Sequence, residues 1–285
     1  MQVFADTHLH LYPCFDLDQA FTGLLDRLQL ESSKDKNNAS AIYAAFLAER
    51  ADCNFYERLV KNYDQPKQSK PLLSQFTVVT ANEQSLLLQE KSSERRLTLF
   101  PGRQIISKEK IEVLGLCTSA SFPENLPAAE LVEQVQAKGG VPVLPWSPGK
   151  WFFKRGQIID DLLHRFTGQD LLIGDVSLRP MGWPLPLLMR KARRLGYTII
   201  SGSDPLPFAG EEQLFGRYGS KITSTEGATT AESIETLFRS LLNDRAVAKS
   251  FGQRSTPLQL TRRLRSNASA RKGAMVPHQH QSKKG

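Results

Sequence analysis

The sequence predicts an α/β protein with a TIM-like (β/α) barrel over residues 1–251, on three observations. Predicted strands alternate with predicted helices along the chain, and this alternation is typical of a parallel sheet. About seven strand candidates within roughly 250 residues suit a barrel. The main alternative is a doubly wound open sheet, but the sequence contains no GxGxxG or GxxxxGK[ST] motif to support its usual nucleotide site.

The individual elements follow from apolar runs and their spacing. Short apolar runs are expected to form strands at residues 2–5, 76–80, 97–100, 111–116, 141–144, 171–174 and 197–201. Helices are expected at residues 18–28, 41–60, 82–90, 126–138, 158–166, 185–195 and 233–242. Polar residues 31–40 and 64–70 are expected to form a loop and a linker. The long, partly helical region 26–70 is interpreted as an insertion or lid over the barrel mouth.

The charge of the chain is concentrated at its C-terminal end. The 285 residues carry a net charge of +8, from 37 Lys+Arg and 29 Asp+Glu. Residues 252–285 hold eight basic and no acidic residues, so the body of the chain is formally neutral. We expect this basic tail to be disordered. Nucleic-acid binding is therefore not expected, except weakly through the tail.

The composition argues against membrane and secreted proteins. No run of about 18 or more apolar residues occurs, so no transmembrane helix is expected. The first residues show no basic stretch followed by an apolar one, as a secretory signal would. Cys14, Cys53 and Cys117 are scattered and form no CxxC motif, which fits a reduced compartment. We therefore expect a cytoplasmic protein without a membrane partner.

His8 and His10 are the clearest candidate metal ligands. Alternate residues of a strand point to the same face, so both imidazoles should project together at the end of the first strand. Two neutral imidazoles suit a divalent transition metal. Asp6 lies on the same face and could orient a ligating histidine. The alternative interpretation is an ordinary pair of polar residues at a strand end.

Two aspartates at strand ends are candidate catalytic or ligating groups. Asp204 follows a late strand, where carboxylates of barrels are typically functional, but it also precedes Pro205 and could simply start a turn. Asp175 ends another strand and is equally well explained as a loop residue that caps a turn. Three arginines near strand ends or glycine-rich loops could hold an anionic substrate group, although each is more often a surface residue: Arg103, Arg179 and Arg217.

Several segments resemble, in order, the motifs of the PHP (polymerase and histidinol phosphatase) family of metal-dependent phosphoesterases. The chain is more distantly similar to the amidohydrolase superfamily. The segments are Asp6-Thr7-His8-Leu9-His10, residues 100–105, residues 111–116, residues 137–144 and residues 196–204. The resemblance implies a TIM-like barrel, seven-stranded as in PHP domains, with metal ligands at the C-terminal ends of the strands.

The sequence departs from the family pattern at three ligand positions. Gln104 stands where the family has a bridging glutamate, and a neutral amide is a weak metal ligand. Pro145 and Trp146 occupy the place of the histidine after the middle strand, and Leu206 that of the histidine after the late aspartate. The resemblance therefore implies at most one metal ion here.

His8, His10 and Asp204 carry over to this chain and would hold one Zn, Mn or Fe ion. Catalytic zinc commonly has three protein ligands and one position for water. Asp175 would be a fourth ligand or a base, and Gln104 would join Asp6 in a supporting role around the ligands.

The reaction implied is hydrolysis by a metal-activated water, with the pKa of that water lowered toward about 7. Arg179 or Arg217 would stabilise the developing anion, and Asp175, Arg179 and Asp204 are the candidate catalytic residues. We thus expect a metal-dependent, phosphoesterase-like hydrolase that acts on a small anionic or phosphorylated substrate. The loss of three family ligands leaves an alternative: a catalytically inactive barrel that serves as a binding or regulatory protein.

Overall fold

The chain is described by a computed structural model that covers residues 1–35, 41–65, 72–224 and 233–274. Strands and helices alternate over these residues, which confirms the predicted α/β class. The strands are β1 (Gln2–Leu9), β2 (Ala41–Leu47), β3 (Phe76–Ala81), β4 (Leu86–Glu90), β5 (Arg96–Phe100), β6 (Gly102–Ile106), β7 (Glu112–Leu116), β8 (Val141–Pro145), β9 (Leu172–Val176), β10 (Ile199–Gly202), β11 (Tyr218–Ser224) and β12 (Ala246–Gly252). The α-helices are α1 (Leu17–Ser33), α2 (Phe55–Asp64), α3 (Ala128–Ala137), α4 (Phe153–Arg165), α5 (Leu187–Arg194), α6 (Ile234–Arg239) and α7 (Pro257–Ala274). Two short 3-10 helices are Glu211–Leu214 and Ser240–Leu242.

The strands form two mixed sheets. One has seven strands in the order β12-β11-β1-β2-β5-β4-β3, and the other has five in the order β10-β9-β8-β7-β6. The parallel pairs are β1–β2, β2–β5, β8–β9 and β9–β10. The remaining neighbours run antiparallel, so the predicted all-parallel arrangement is correct only in part.

The two sheets meet along two seams and do not close into a barrel over the described residues. At one seam, a single bridge between Glu49 and Arg103 joins the end of β2 to β6. At the other, the Thr7 hydroxyl donates to the Ser201 carbonyl at 2.8 Å and so ties β1 to β10. The predicted closed barrel is therefore interrupted, because these seams carry isolated hydrogen bonds and no continuous ladder.

The strand β1 lies in the interior of the seven-stranded sheet. It is buried from Val3 to Leu9 between β11 and β2. Helix α1 covers it with a stripe of buried side chains spaced three to four residues apart, as expected for an amphipathic helix. Burial of each of the larger ones contributes roughly 1.5–3 kcal/mol to stability. The stripe comprises Ala20, Phe21, Leu24, Leu25 and Leu28.

Two predicted helices are strands in the structure. Residues 41–60 were predicted to form one helix, but Ala41–Leu47 is the strand β2 and the helix α2 begins only at Phe55. Residues 82–90 were also predicted to be helical, but Leu86–Glu90 forms a hairpin with β3. A short apolar run fits the hydrophobic period of a helix as well as that of a strand, and pairing with neighbouring strands decides between the two. Because β2 lies between β1 and β5, residues 41–47 of region 26–70 belong to the larger sheet, and the interpretation as a lid is wrong for that strand.

The described part of the C-terminal tail is folded. Pro257–Ala274 forms helix α7, and its Arg263 is buried with 7% of its surface exposed. The expected disorder is therefore wrong for residues 257–274, while residues 275–285 lie outside the described part of the chain. None of the described helices is long and apolar enough to cross a membrane.

Candidate metal centre

His8 and His10 lie at the C-terminal end of β1 with their rings side by side. Their Nε2 atoms are 3.1 Å apart, and both side chains are almost fully buried. The predicted projection of the two imidazoles from one face is therefore present. The Nδ1 atoms of both rings have no hydrogen-bond partner among the described residues.

Asp204 reaches the two histidines from the loop after β10. Its Oδ1 lies 3.4 Å from His10 Nε2 and 3.7 Å from His8 Nε2. The Asp204 backbone has a positive φ of 47° and its N–H donates to the His8 carbonyl at 3.0 Å. This left-handed conformation is uncommon outside glycine but is tolerated by aspartate. The seam between β1 and β10 thus brings the aspartate to the histidines.

The spacing of these three donor atoms fits one metal ion. A tetrahedral zinc ion with bonds of about 2.0–2.1 Å separates its ligand atoms by about 3.3 Å. The three observed separations are 3.1, 3.4 and 3.7 Å. His8, His10 and Asp204 form a group that could hold an ion, and no other histidine, cysteine or acidic side chain of the described residues joins it.

The protonation of the donors also suits a cation. Burial lowers the pKa of His8 to about 4, so its ring is neutral and keeps a lone pair at neutral pH. Burial alone would raise the pKa of Asp204, but the neighbouring His8, His10 and Arg263 outweigh it and lower that pKa to about 2. The aspartate is therefore an ionised ligand at neutral pH.

Asp6 was expected to orient a histidine ring, but it contacts backbone groups of the site and not the imidazole rings. One carboxylate oxygen accepts the N–H groups of Ser203 and His8, at 2.9 and 3.2 Å. The other accepts the Gly216 N–H at 2.9 Å. Burial raises the pKa of this carboxyl to about 6. Asp6 therefore holds β1 to the loop that carries Asp204.

Asp175 and Arg179 do not take part in the site, contrary to the predicted catalytic roles. The Arg179 Nε and Nη2 donate to the two oxygens of Asp175 at 2.8 and 2.6 Å. The Tyr218 hydroxyl donates to the same carboxylate at 2.8 Å, and Arg179 Nη1 donates to the Trp183 carbonyl. Both side chains are buried, so the aspartate is no free base and the arginine no free anion site.

A cleft with a volume of about 1560 Å³ opens beside the three donors, and both His10 and Asp204 line it. Gln104 and Arg103 line the same cleft, and their roles as a supporting residue and an anion site stay predictions. Arg103 also donates to the Cys53 carbonyl at 3.0 Å. Arg217 does not line the cleft and donates to Gln259 at 2.9 Å, so its predicted anion role has no support.

Sequence reasoning gave no functional role to three residues around the site. Lys150 lines the cleft, pairs with Glu112, and its charge contributes to the lowered pKa of His8. Arg263 of α7 donates to the Asp204 carbonyl at 3.1 Å. Glu49 is buried just beyond β2, in a segment predicted to be helical. None of them belongs to a local motif, and only the position of Lys150 after a strand could have drawn attention to it.

We expect the stability of the chain to fall as the pH rises through the titration of Glu49. Its Oε1 accepts the N–H groups of Phe55 and Tyr56 at the start of α2, and burial raises its pKa from 4.5 to about 7. Between pH 4.5 and about pH 7, the native state therefore binds more protons than the unfolded chain. The stabilisation that is present below pH 4.5 is lost as the pH rises through about 7. Relative to Glu49→Gln, the loss is on the order of 2–3 kcal/mol.

Urea denaturation at pH 5 and pH 8 measures this difference. The matched control is Glu57→Gln, an exposed position on the same helix, which should follow the wild type. Equal pH dependence of the wild type and Glu49→Gln would show that Glu49 is already ionised in the folded chain at pH 5.

Comparisons with known proteins give a likeness in fold but none in sequence. No protein-family model matches the chain, and no curated protein matches its sequence. The structure is similar to PsfC from Pseudomonas syringae PB-5123, with a TM-score of 0.55 and 13% identity over 96% of this chain and 99% of that one. At this identity the likeness concerns the fold alone.

Weaker likenesses are to Endonuclease Q. The lesion-specific endonuclease PfuEndoQ from Pyrococcus furiosus gives a TM-score of 0.47 at 12% identity, over 88% of this chain. An Endonuclease Q complex with a 27-mer duplex that carries an abasic lesion gives 0.43 at 11% identity, over 89%. This chain spans 59% and 60% of the length of those two chains.

Proposed function

We propose that this chain is a metal-dependent hydrolase of phosphoester type with one divalent cation, Zn, Mn or Fe, held by His8, His10 and Asp204. The observation that carries the proposal is the triangle of donor atoms, with sides of 3.1, 3.4 and 3.7 Å, at the edge of a cleft. Three protein ligands leave one position of a tetrahedral ion open, as in catalytic zinc sites.

The charge of the donor set favours an anionic substrate. Two neutral imidazoles and one carboxylate carry a charge of −1, so a divalent cation leaves the centre positive. A cation in such a site lowers the pKa of a coordinated water toward about 7 and polarises an ester. Asp204 and the histidines would hold the cation, and burial of both rings excludes competing solvent from that side.

The cleft indicates a substrate larger than the small anion expected from the sequence. Its volume of about 1560 Å³ exceeds the range of roughly 300–1000 Å³ that is usual for small-molecule pockets. Arg50, Arg103 and Lys150 line it, each paired with an acidic side chain, and Tyr12 adds an aromatic surface beside His10. We infer that the substrate is an anionic ester that extends along the cleft beyond the reacting group.

Metal analysis together with an ester-cleavage assay tests this function. We expect purified wild-type chain to hold about one transition-metal ion and to cleave bis(p-nitrophenyl) phosphate. His10→Ala and Asp204→Asn should each lower metal content and reduce cleavage by at least about a hundredfold, because each removes one of three ligands. His164→Ala replaces an exposed histidine on α4 and serves as the matched control. A metal-free wild type, or cleavage unchanged in both ligand variants, would overturn the proposal.

A second candidate function is binding without catalysis. The observation that favours it is the pairing of Asp175 with Arg179, which removes the carboxylate that could have served as a base. Gln104, at the position of a family glutamate, adds no negative charge to the centre. This candidate predicts that the wild type binds a cation through His8 and His10 but cleaves no phosphoester or amide, so the same assay distinguishes the two functions.

A further inference from the structure

Arg263 lies on α7, in the part of the chain that the sequence suggested was a disordered tail, and its guanidinium is fully engaged. Nε and Nη2 donate to the two oxygens of Glu211, at 2.9 and 2.6 Å. Nη1 donates to the hydroxyls of Ser177 and Ser255, both at 2.9 Å. Nη2 also donates to the Asp204 carbonyl, at 3.1 Å. One side chain therefore joins three loops and a 3-10 helix around the metal centre.

Arg263 contacts Asp204 at its backbone carbonyl, and the side-chain carboxylate of the same residue is the candidate ligand. The Asp204 N–H donates to the His8 carbonyl, and the Asp204 carbonyl accepts from Arg263, so the peptide groups on both sides of its Cα are fixed. The left-handed backbone of Asp204 costs energy, and such conformations persist where surrounding contacts hold them. Without the arginine, the Asp204 carbonyl would lose this partner, and the residue could relax and shift its carboxylate relative to the histidines.

Glu211 extends the same support to the next residues of the loop. It is 3% exposed, and its Oε2 accepts the Leu206 N–H at 2.9 Å in addition to the arginine. The negative charge of Glu211 compensates the buried guanidinium, which would otherwise be costly at this depth. The loop of residues 204–206 is thus bound at the carbonyl of Asp204 and at the N–H of Leu206.

We propose that Arg263 is a positioning residue, through which helix α7 holds Asp204 in the geometry that binds the cation. This inference rests on the proposed metal centre and adds that the C-terminal helix completes it. Arg263 touches neither the donor atoms nor the cleft, so it positions Asp204 through the backbone, in addition to the effect of its charge on the carboxylate. Partners around a metal ligand typically change metal affinity by about 10–100-fold when they are replaced.

Cobalt binding to the full chain tests this role. Co²⁺ affinity is measured by competition with a chelating dye, and the visible absorption of bound Co²⁺ reports the ligand geometry independently of activity. Arg263→Lys keeps a charge for Glu211 but lacks the planar fork that reaches the serines and the Asp204 carbonyl. We expect it to weaken Co²⁺ binding by about tenfold or more and to change the absorption bands. Arg265→Gln, an exposed neighbour on the same helix, should match the wild type.

Ser255→Ala removes one acceptor of Arg263 without changing charge, and it keeps the test decisive if Arg263→Lys does not fold. It should also weaken Co²⁺ binding, but by a smaller factor than Arg263→Lys. Folded variants with the affinity and spectrum of Arg265→Gln, whatever their stability, would show that the arginine is only structural and would overturn this inference alone. A wild-type chain that binds no Co²⁺ through His8 and His10 would overturn the metal centre, and this inference with it.

Discussion

Replacing Arg179 by methionine is expected to lower the free energy of unfolding by about 3–5 kcal/mol. The guanidinium makes two hydrogen bonds to Asp175, at 2.8 and 2.6 Å, and both side chains are more than nine-tenths buried. Without it, the buried carboxylate keeps only the Tyr218 hydroxyl and the Val176 N–H as described partners. An uncompensated buried charge is expensive because little water can reach it.

Urea denaturation near pH 7 measures this loss. The matched control is Arg165→Met, because Arg165 pairs with Glu133 at 2.7 Å on the surface, where such pairs contribute less than about 1 kcal/mol. The double variant Asp175→Leu/Arg179→Met should recover much of the stability, since it leaves no charge unpaired. If Arg179→Met unfolds at the urea concentration of the control, the pair does not stabilise the fold.

Two of the three candidate ligands could be predicted from local signals. His8 and His10 are alternate residues of one strand, and a strand fixes the direction of both side chains. Asp204 directly follows a strand, although its approach to the histidines depends on the seam between β1 and β10, which no local pattern reveals. The sequence therefore indicated the donors, and the structure added their separation.

The pairing of Asp175 with Arg179 shows why other site residues could not be predicted. Both stand at a strand end, where a catalytic residue and a structural ion pair look alike in sequence. Their spacing of four residues does not decide the matter, because Asp175 lies in β9 and Arg179 in the bend that follows it, and not in a helix. Whether a carboxylate is free depends on its hydrogen bonds, including one from distant Tyr218. Only the folded chain supplies that information.

The region of β2 and the helix α7 were mispredicted for related reasons. The run Ala41–Leu47 fits a helix as well as a strand by hydrophobicity, and its pairing with β1 and β5 settled the outcome. Helix α7 is rich in positive charge and has little apolar pattern, so composition predicted disorder. It is anchored by the buried Arg263–Glu211 pair, whose members are 52 residues apart in the sequence.

Replacing Gly202 by alanine is expected to reduce the free energy of unfolding by at least about 3 kcal/mol and to abolish cation binding. The new Cβ would overlap with backbone atoms of His8, which costs more than ordinary overpacking of side chains. A Cβ at this position would lie 2.4 Å from the His8 nitrogen and 2.5 Å from the His8 Cβ. These are atoms of the neighbouring strand and cannot rotate away as the end of a flexible side chain can. Relief therefore requires β10 and β1 to separate at the point where His8 faces Asp204.

Thermal or urea unfolding and Co²⁺ titration of Gly202→Ala measure the two effects separately. The matched control is Gly196→Ala, where a Cβ meets nothing within 4 Å but the backbone has a positive φ of 85°. This control should lose only the roughly 1–2 kcal/mol of left-handed strain and keep the affinity of the wild type for Co²⁺. A Gly202→Ala chain that binds Co²⁺ as tightly as the control would mean that the seam between β1 and β10 does not set the position of Asp204. Conversely, a large loss of affinity in that variant alone would show that cation binding requires the close approach of β1 and β10. Only glycine at position 202 permits this approach.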